Sequence, residues 1–258
     1  MSFQEAGWAL FEDLALLPWV EAVHPVACEI AADEAQQRAW LRHGGTWFAG
    51  VNALPNDARG AVSGGLALTG VAVEFASALH GAEPVWDTGQ ISVVYPGYPQ
   101  KDASESDAAH RFRRNRDAAH VDGLLPVGPA RRRKMQEPHS FVLGIPLTAC
   151  SAGASPMVVW EGSHEIMRDA FRVALAEVPL EAWGEFDLTD VYQAARRRCF
   201  EECRRMPVIA QPGQAYVVHR LALHGVAPWD DGAEAPEEGR MIVYFRPPFP
   251  GLNWLDAP

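Results

Sequence analysis

QAYVVHRLALHG, residues 214–225, is the stretch on which the fold turns. β-Branched and aromatic residues run between a Pro-Gly pair and Gly225, which is strand rather than helix chemistry. Side chains alternate along a regular strand. Val217, His219, Leu221 and Leu223 then share one face, and Tyr216, Val218, Arg220, Ala222 and His224 share the other. The two histidines fall on opposite faces. His224 stands at the strand end beside Gly225, where backbone crowding is relieved and a site has room to open. His219 reads as a packed or surface histidine. His224 is the candidate ligand.

Similar short runs bounded by Gly, Pro, Asn and Asp recur at TWFAGVNALPND (46–57), PVWDTGQISVVYPGYP (84–99), SFVLGIPLTAC (140–150), PMVVWEGSH (156–164) and GRMIVYFRPPF (239–249). Helical spacing is found at EAGWALFEDLALL (5–17), ADEAQQRAWLRHGG (32–45), HEIMRDAFRVALAEV (164–178) and DVYQAARRRCFEECRRM (190–206). Helices first, then strands, then a helical insert before the last strands make the chain mainly β with flanking helices. The expected form is a jelly roll, a cupin-like barrel. We read residues 1–258 as one domain, with N-terminal helices at about 1–45, a β core at about 46–250 and the helical insert at about 164–206. In EGSHE, Ser163 is the expected helix N-cap and His164 is not a ligand.

AAHVDGLLP, residues 118–126, sets a histidine and an acid two apart, so an extended chain points His120 and Asp122 the same way. Alone, the pair also fits a polar strand end with a solvated Asp. With His224 it makes two imidazoles and one carboxylate, the facial triad of non-haem Fe(II) oxygenases, which leaves three positions open. Arg240 opens RMIVYF, 16 residues after His224. If that strand pairs with the one carrying His224, its guanidinium points into the barrel and suits a carboxylate. Arg246 shares the face of Arg240, but six residues span ~20 Å, so at most one of them meets a given carboxylate.

The ordered set of His120-x-Asp122, VVWEGSH (158–164), LHGVAPW (223–229) and an arginine opening the last strand resembles the phytanoyl-CoA dioxygenase-like family of Fe(II)- and 2-oxoglutarate-dependent oxygenases. The resemblance spans roughly residues 85–250. It implies a double-stranded β-helix, iron on His120, Asp122 and His224, and 2-oxoglutarate and O₂ as co-substrates. The far carboxylate of 2-oxoglutarate would pair with Arg240, with Gln90, Ser92 and His139 as further co-substrate contacts. No catalytic residue is expected beyond the metal ligands. The chain departs from the family at Glu161, where Pro is common, at Val226, where a small polar residue follows His-Gly, and at Trp229, where Asn is common. The implied reaction is hydroxylation. Related halogenases carry a small residue in place of Asp122 to admit chloride. Two other classes share such a scaffold. One is a cupin-like isomerase or hydrolase without redox chemistry, which has no need of Arg240. The other is a non-catalytic binding protein.

The 258 residues carry a formal charge of −11, which argues against nucleic-acid and membrane-surface partners. Eight of the 22 Lys and Arg nevertheless cluster at Arg111, Arg113, Arg114, Arg116 and Arg131–Lys134, flanking the His-x-Asp pair. They suit a small anionic substrate or a solvated loop. No apolar run approaches ~20 residues, and the N-terminus lacks a basic segment of the secretory kind. The four cysteines form no C-x-x-C pair and read as reduced thiols. A cytoplasmic monomer or homodimer acting on a small molecule is expected.

Overall fold

The computed structural model describes residues 1–257. Helix α1 (Phe3–Ala6) stops at Gly7, whose left-handed φ of 77° no other residue adopts cheaply. Strand β1 (Trp8–Glu12) follows, then α2 (Leu17–Ala32), α3 (Glu34–Trp40), β2 (Leu41–Arg42), β3 (Trp47–Phe48), α4 (Val71–His80) and β4 (Gln90–Val94). Helix α5 (Asp107–Arg116) leads into a hairpin of β5 (Leu124–Val127) and β6 (Arg132–Met135), followed by β7 (Phe141–Pro146) and β8 (Met157–Trp160). The insert supplies α6 (Ser163–Leu175) and α7 (Thr189–Glu202). Strands β9 (Arg205–Val208), β10 (Gln214–His219), β11 (His224–Val226) and β12 (Arg240–Phe245) complete the chain.

The strands form a seven-stranded antiparallel sheet ordered β1-β10-β7-β12-β4-β3-β2 and a three-stranded sheet ordered β11-β8-β9. The β5–β6 hairpin stands apart. Alternation along each strand sorts the core into three layers. Between the sheets pack Val142, Met157, Val159, Val208, Tyr216, Val218, Ile242 and Tyr244. The outer face of the large sheet (Leu143, Ile145, Val217, Val243, Phe245) is covered by α2 and α4 through Trp19, Val23, Ala72 and Ala76. The outer face of the small sheet (Val158, Trp160) is covered by the insert through Met167, Phe171, Leu175 and Cys199.

Four expectations change. Residues 5–17 are not one helix. Gly7 ends α1, and β1 takes an edge of the large sheet in register with β10, from Trp8 opposite Val218 to Glu12 opposite Gln214. Tertiary pairing overrides local helical spacing there. QAYVVHRLALHG is not one strand either. It bends at Arg220, so β10 lies in the large sheet and β11 in the small one. The bend is held by buried Arg220, whose Nε donates to Trp254 O (2.7 Å) and whose terminal nitrogens donate to Ser140 O (2.9 Å) and Ala257 O (2.6 Å), with Phe249 stacked on the guanidinium. Third, Leu14–Ala32 is long and apolar enough, by length and composition, to cross a membrane. Here its Trp19, Val20, Val23, Ala27 and Ala31 pack into the core. Fourth, the α6 N-cap is Gly162. Ser163 Oγ instead accepts from Leu223 N–H (2.8 Å), tying the insert to the chain just before His224.

Candidate metal centre

His120 and His224 face each other as an isolated antiparallel bridge, with reciprocal N–H···O bonds of 2.8 and 3.0 Å. Residues 118–123 are not a strand. One bridge followed by a turn is enough to aim Asp122 back at both rings. The chains cross closely here. A Cβ on Gly225 would lie 2.1 Å from Asp117 O, so only glycine fits beside His224.

Both histidines are held by the same local device. His120 Nδ1 lies 3.1 Å from Ala118 O and His224 Nδ1 lies 2.9 Å from Ala222 O, in each case the carbonyl two residues back. With Nδ1–H donating there, Nε2 is the ligand atom left on each ring and faces Asp122. Burial opposes the charged form of His224, but Asp122 raises its pKa overall, so an ion binding there would displace a proton. His120 Nε2 is 3.1 Å from Asp122 Oδ1, and His224 Nε2 is 3.7 Å from Oδ2. The three ligand atoms lie within 4.8 Å of one another, a geometry fit for one ion. Burial alone would raise the Asp122 carboxyl. His224 above all, with His120 and Arg246, instead holds it well below the usual carboxylate range. The carboxylate is thus charged and ready to ligate. His120 is the open side of the site, half exposed at 52%, against 10% for Asp122 and 5% for His224.

The site opens on a cavity of about 430 Å³ between the sheets, whose wall includes Trp47, Tyr98, Arg113, Arg133, Tyr192 and Arg246. Of the residues singled out in the sequence, Gln90 and Ser92 line this cavity. Gln90 Nε2 is spent on Ala49 O (2.7 Å), and Ser92 Oγ accepts from Trp47 Nε1 (3.0 Å). His139 does not line it. It lies behind Asp122 and Arg246, partly buried, and burial pushes its pKa down against the pull of Asp122. His219 is in another place altogether. Its Nδ1 accepts from Leu221 N–H (3.0 Å), and its ring packs on His164 at 4.8 Å and near Phe3. His164 is likewise buried away from the site, bonded to Gln4 O (2.9 Å).

Arg240 and Arg246 divide the roles the sequence left open between them. Strand β12 lies between β7 and β4, not beside β11. Arg240, Ile242 and Tyr244 alternate onto its inner face. Arg246 reaches the metal end, with NH1 3.6 Å from Asp122 Oδ2. Arg240 sits at the far end of β12, 4% exposed, in a separate recess with Thr148 and Pro156. One terminal nitrogen donates to Ser155 O, and the other, NH1, is buried with no partner. Its charge is felt by Tyr98, on the cavity wall, and by Tyr216. Tyr216 OH donates to Tyr244 OH (2.9 Å), which leaves the Tyr244 proton free to donate into the cavity it lines.

Sequence reading missed Tyr98, Tyr192, Tyr244 and the role of Arg246. Parity along β12 was the available signal for Tyr244, which shares the face of Arg240. Half of the basic cluster is spent in ion pairs and ring contacts. Arg113 pairs with Glu105 at 3.2 Å, Arg132 with Asp187 at 2.5 Å and Lys134 with Glu185 at 2.8 Å, and Arg116 lies over Phe200. Arg113 and Arg133 also face the cavity.

No protein-family model and no curated protein matches the chain. Solved structures do. The non-heme alpha ketoglutarate dependent epimerase SnoN from nogalamycin biosynthesis superposes with a TM-score of 0.50 at 12% identity, over 95% of this chain and 80% of that one. SnoN in complex with Fe3+, alpha ketoglutarate and nogalamycin RO gives 0.49 at 15% identity, over 94% and 80%. EctD from S. alaskensis with bound Fe gives 0.45 at 14% identity, over 95% and 74%. At these identities the likeness to SnoN is one of fold.

Proposed function

We propose that this chain is a non-haem Fe(II)- and 2-oxoglutarate-dependent oxygenase of the phytanoyl-CoA dioxygenase-like kind. It is built as one domain, residues 1–258, around a double-stranded β-helix, and it hydroxylates a small anionic organic molecule. The observation that carries this is the convergence of two Nε2 atoms and one charged carboxylate beside a cavity of about 430 Å³. The fold-level likeness to SnoN, a non-heme alpha ketoglutarate dependent epimerase, agrees with it.

The residues present fit both groups. His120, Asp122 and His224 offer an N₂O set on one side of an ion, the pattern that suits Fe(II) with open positions. Arg240 offers a buried guanidinium with an unpartnered NH1, which a dicarboxylic acid would satisfy and a non-redox cupin would leave orphaned. Tyr244 OH and Ser92 Oγ stand on the cavity wall as further donors toward such a ligand. When bound, the iron, 2-oxoglutarate and O₂ together supply an oxidation that turns 2-oxoglutarate into succinate and CO₂ and places one oxygen atom on the substrate.

The protein's part is orientation and exclusion of water. Ala118 and Ala222 carbonyls fix the imidazole tautomers. His224, with His120 and Arg246, keeps Asp122 ionised against burial. Trp47, Tyr98 and Tyr192 form a dry wall against the body of the substrate, and Arg133 supplies a cation for its charge. Arg133 donates to Leu124 O (3.1 Å), and its cationic neighbours Arg131 and Arg196 concentrate positive potential there.

The test is succinate formation with Fe(II), ascorbate and 2-oxoglutarate. Wild type should form succinate slowly without substrate, and D122A should form none. R240A should weaken 2-oxoglutarate binding by about tenfold or more, since a charge-assisted bond is worth about 1.5–3 kcal/mol, and leave Fe(II) affinity unchanged. Absence of both succinate and 2-oxoglutarate binding in wild type would sink the oxygenase reading. Normal 2-oxoglutarate affinity in R240A would sink the Arg240 assignment alone.

A further inference from the structure

A second group of ligating side chains lies outside this cavity. His24 and Cys28 are one turn apart on α2, and Glu238 comes from the segment that leads into β12. His24 Nε2 lies 3.4 Å from Cys28 Sγ and 3.3 Å from Glu238 Oε1, and all three ligand atoms are within 4.8 Å of one another. One ring nitrogen makes both contacts and carries at most one hydrogen, so the two cannot both be full N–H bonds from that atom.

A tetrahedral ion accounts for both. With bonds of about 2.0 Å to nitrogen and oxygen and about 2.3 Å to sulfur, the ligand–ligand edges come to about 3.3 Å for N···O and about 3.5 Å for N···S. The observed 3.3 and 3.4 Å fall on those edges. Imidazole, thiolate and carboxylate together form a borderline-soft set that suits Zn²⁺ and not Mg²⁺ or Ca²⁺. His24 and Glu238 side chains are 32% and 37% exposed, so an ion can enter and a water can complete the fourth position.

We infer that His24, Cys28 and Glu238 form a second metal site, for a zinc-class divalent cation, separate from the His120–Asp122–His224 centre. The site joins α2 to the chain two residues before Arg240 and so staples the helical cover to the start of β12. It stands whether or not the oxygenase reading does. In the metal-free chain, burial and then the Glu238 charge push the Cys28 thiol up, so it is protonated. Binding replaces that proton with the ion and releases it to solvent.

Cobalt(II) titration of the full chain tests this, because thiolate-bound cobalt gives a near-ultraviolet charge-transfer band that His and Asp ligands do not. Wild type should take up two equivalents, one of them with the band. C28S should lose the band and one equivalent, and D122A should lose the other equivalent and keep the band. H24A and E238Q should weaken the thiolate site by about tenfold or more. A circular dichroism melt of metal-free C28S that matches wild type excludes misfolding as the cause. Uptake of a single equivalent without the band, or a band that survives C28S and so belongs to another cysteine, overturns the inference.

Discussion

Asp117 and Ala118, just before His120, the first of the candidate ligands, both have left-handed φ, 53° and 52°. Each such residue costs ~1–2 kcal/mol, and the strain persists only because neighbours fix it. Arg205, on β9, grips the Asp117 carboxylate with Nε at 2.7 Å and a terminal nitrogen at 2.8 Å. Val226 N–H donates to Asp117 O (3.0 Å). The strained pair delivers the Ala118 carbonyl to His120 Nδ1. Arg205 is therefore a positioning residue for a ligand it does not touch. R205A should lower Fe(II) or Co(II) affinity by about 10–100-fold, the usual effect of losing an outer partner of a ligand, with R205K in between because it keeps the charge but not the fork. Calorimetry reads this directly, and an unchanged affinity would show that the turn holds itself.

Strands were legible where β-branched residues crowd between turn signals, as in β4, β7, β8, β10 and β12. Their ends were not. Alternation says which side chains share a face while a strand lasts, but not where the chain leaves its sheet. The parity that set His219 against His224 was thus drawn across the Arg220 bend, and His224 faces the site because β11 joins another sheet. Helix α5 escaped notice because it is polar throughout and buries no residue, so it has no apolar stripe to read. Strand β6 escaped because RRKM is charged, with Arg132 and Lys134 answering Asp187 and Glu185 in the insert. The convergence of His120 and Asp122 was legible because local spacing brings them together, and that of His224 because Gly225 relieves crowding beside it. Arg240 was named for a carboxylate from the sequence, whereas the approach of Arg246 to Asp122 needed the tertiary structure. Sheet packing also yields a test. A Cβ on Gly144 would lie 2.4 Å from the ring of fully buried Tyr216. Overpacking of this kind costs about 1–3 kcal/mol. G144A should lower the melting temperature by several degrees, about 2–4 °C per kcal/mol in a chain of this size. It should also weaken 2-oxoglutarate binding by pushing Tyr216 against Tyr244.

For the whole molecule, the buried histidines link stability to acidity. Burial, then Arg220, His164 and Arg168, hold His219 well below its usual pKa, and burial lowers His164 as well. Depressed histidines stay neutral in the folded chain while the unfolded chain protonates near 6.5. Their stability is intact above about pH 6.5 and falls as pH drops below it, by up to about 1.4 kcal/mol per pH unit for each group, until the folded pKa is reached. Melting temperature should therefore fall between about pH 6.5 and 5, and H219Q should flatten that slope whatever it does to the absolute value. An equal slope in H219Q would place the proton uptake on another group. The Arg220 anchor carries a different consequence, one of timing. Its carbonyl partners at Trp254 and Ala257 are about 34–37 positions further along the chain. During synthesis, of the three carbonyl anchors only that of Ser140 precedes the bend, and the other two follow when residues 254–257 leave the ribosome. The bend that presents His224 is thereby fully fixed only once residues 254–257 are in place, and a chain cut before residue 254 should hold that bend less tightly.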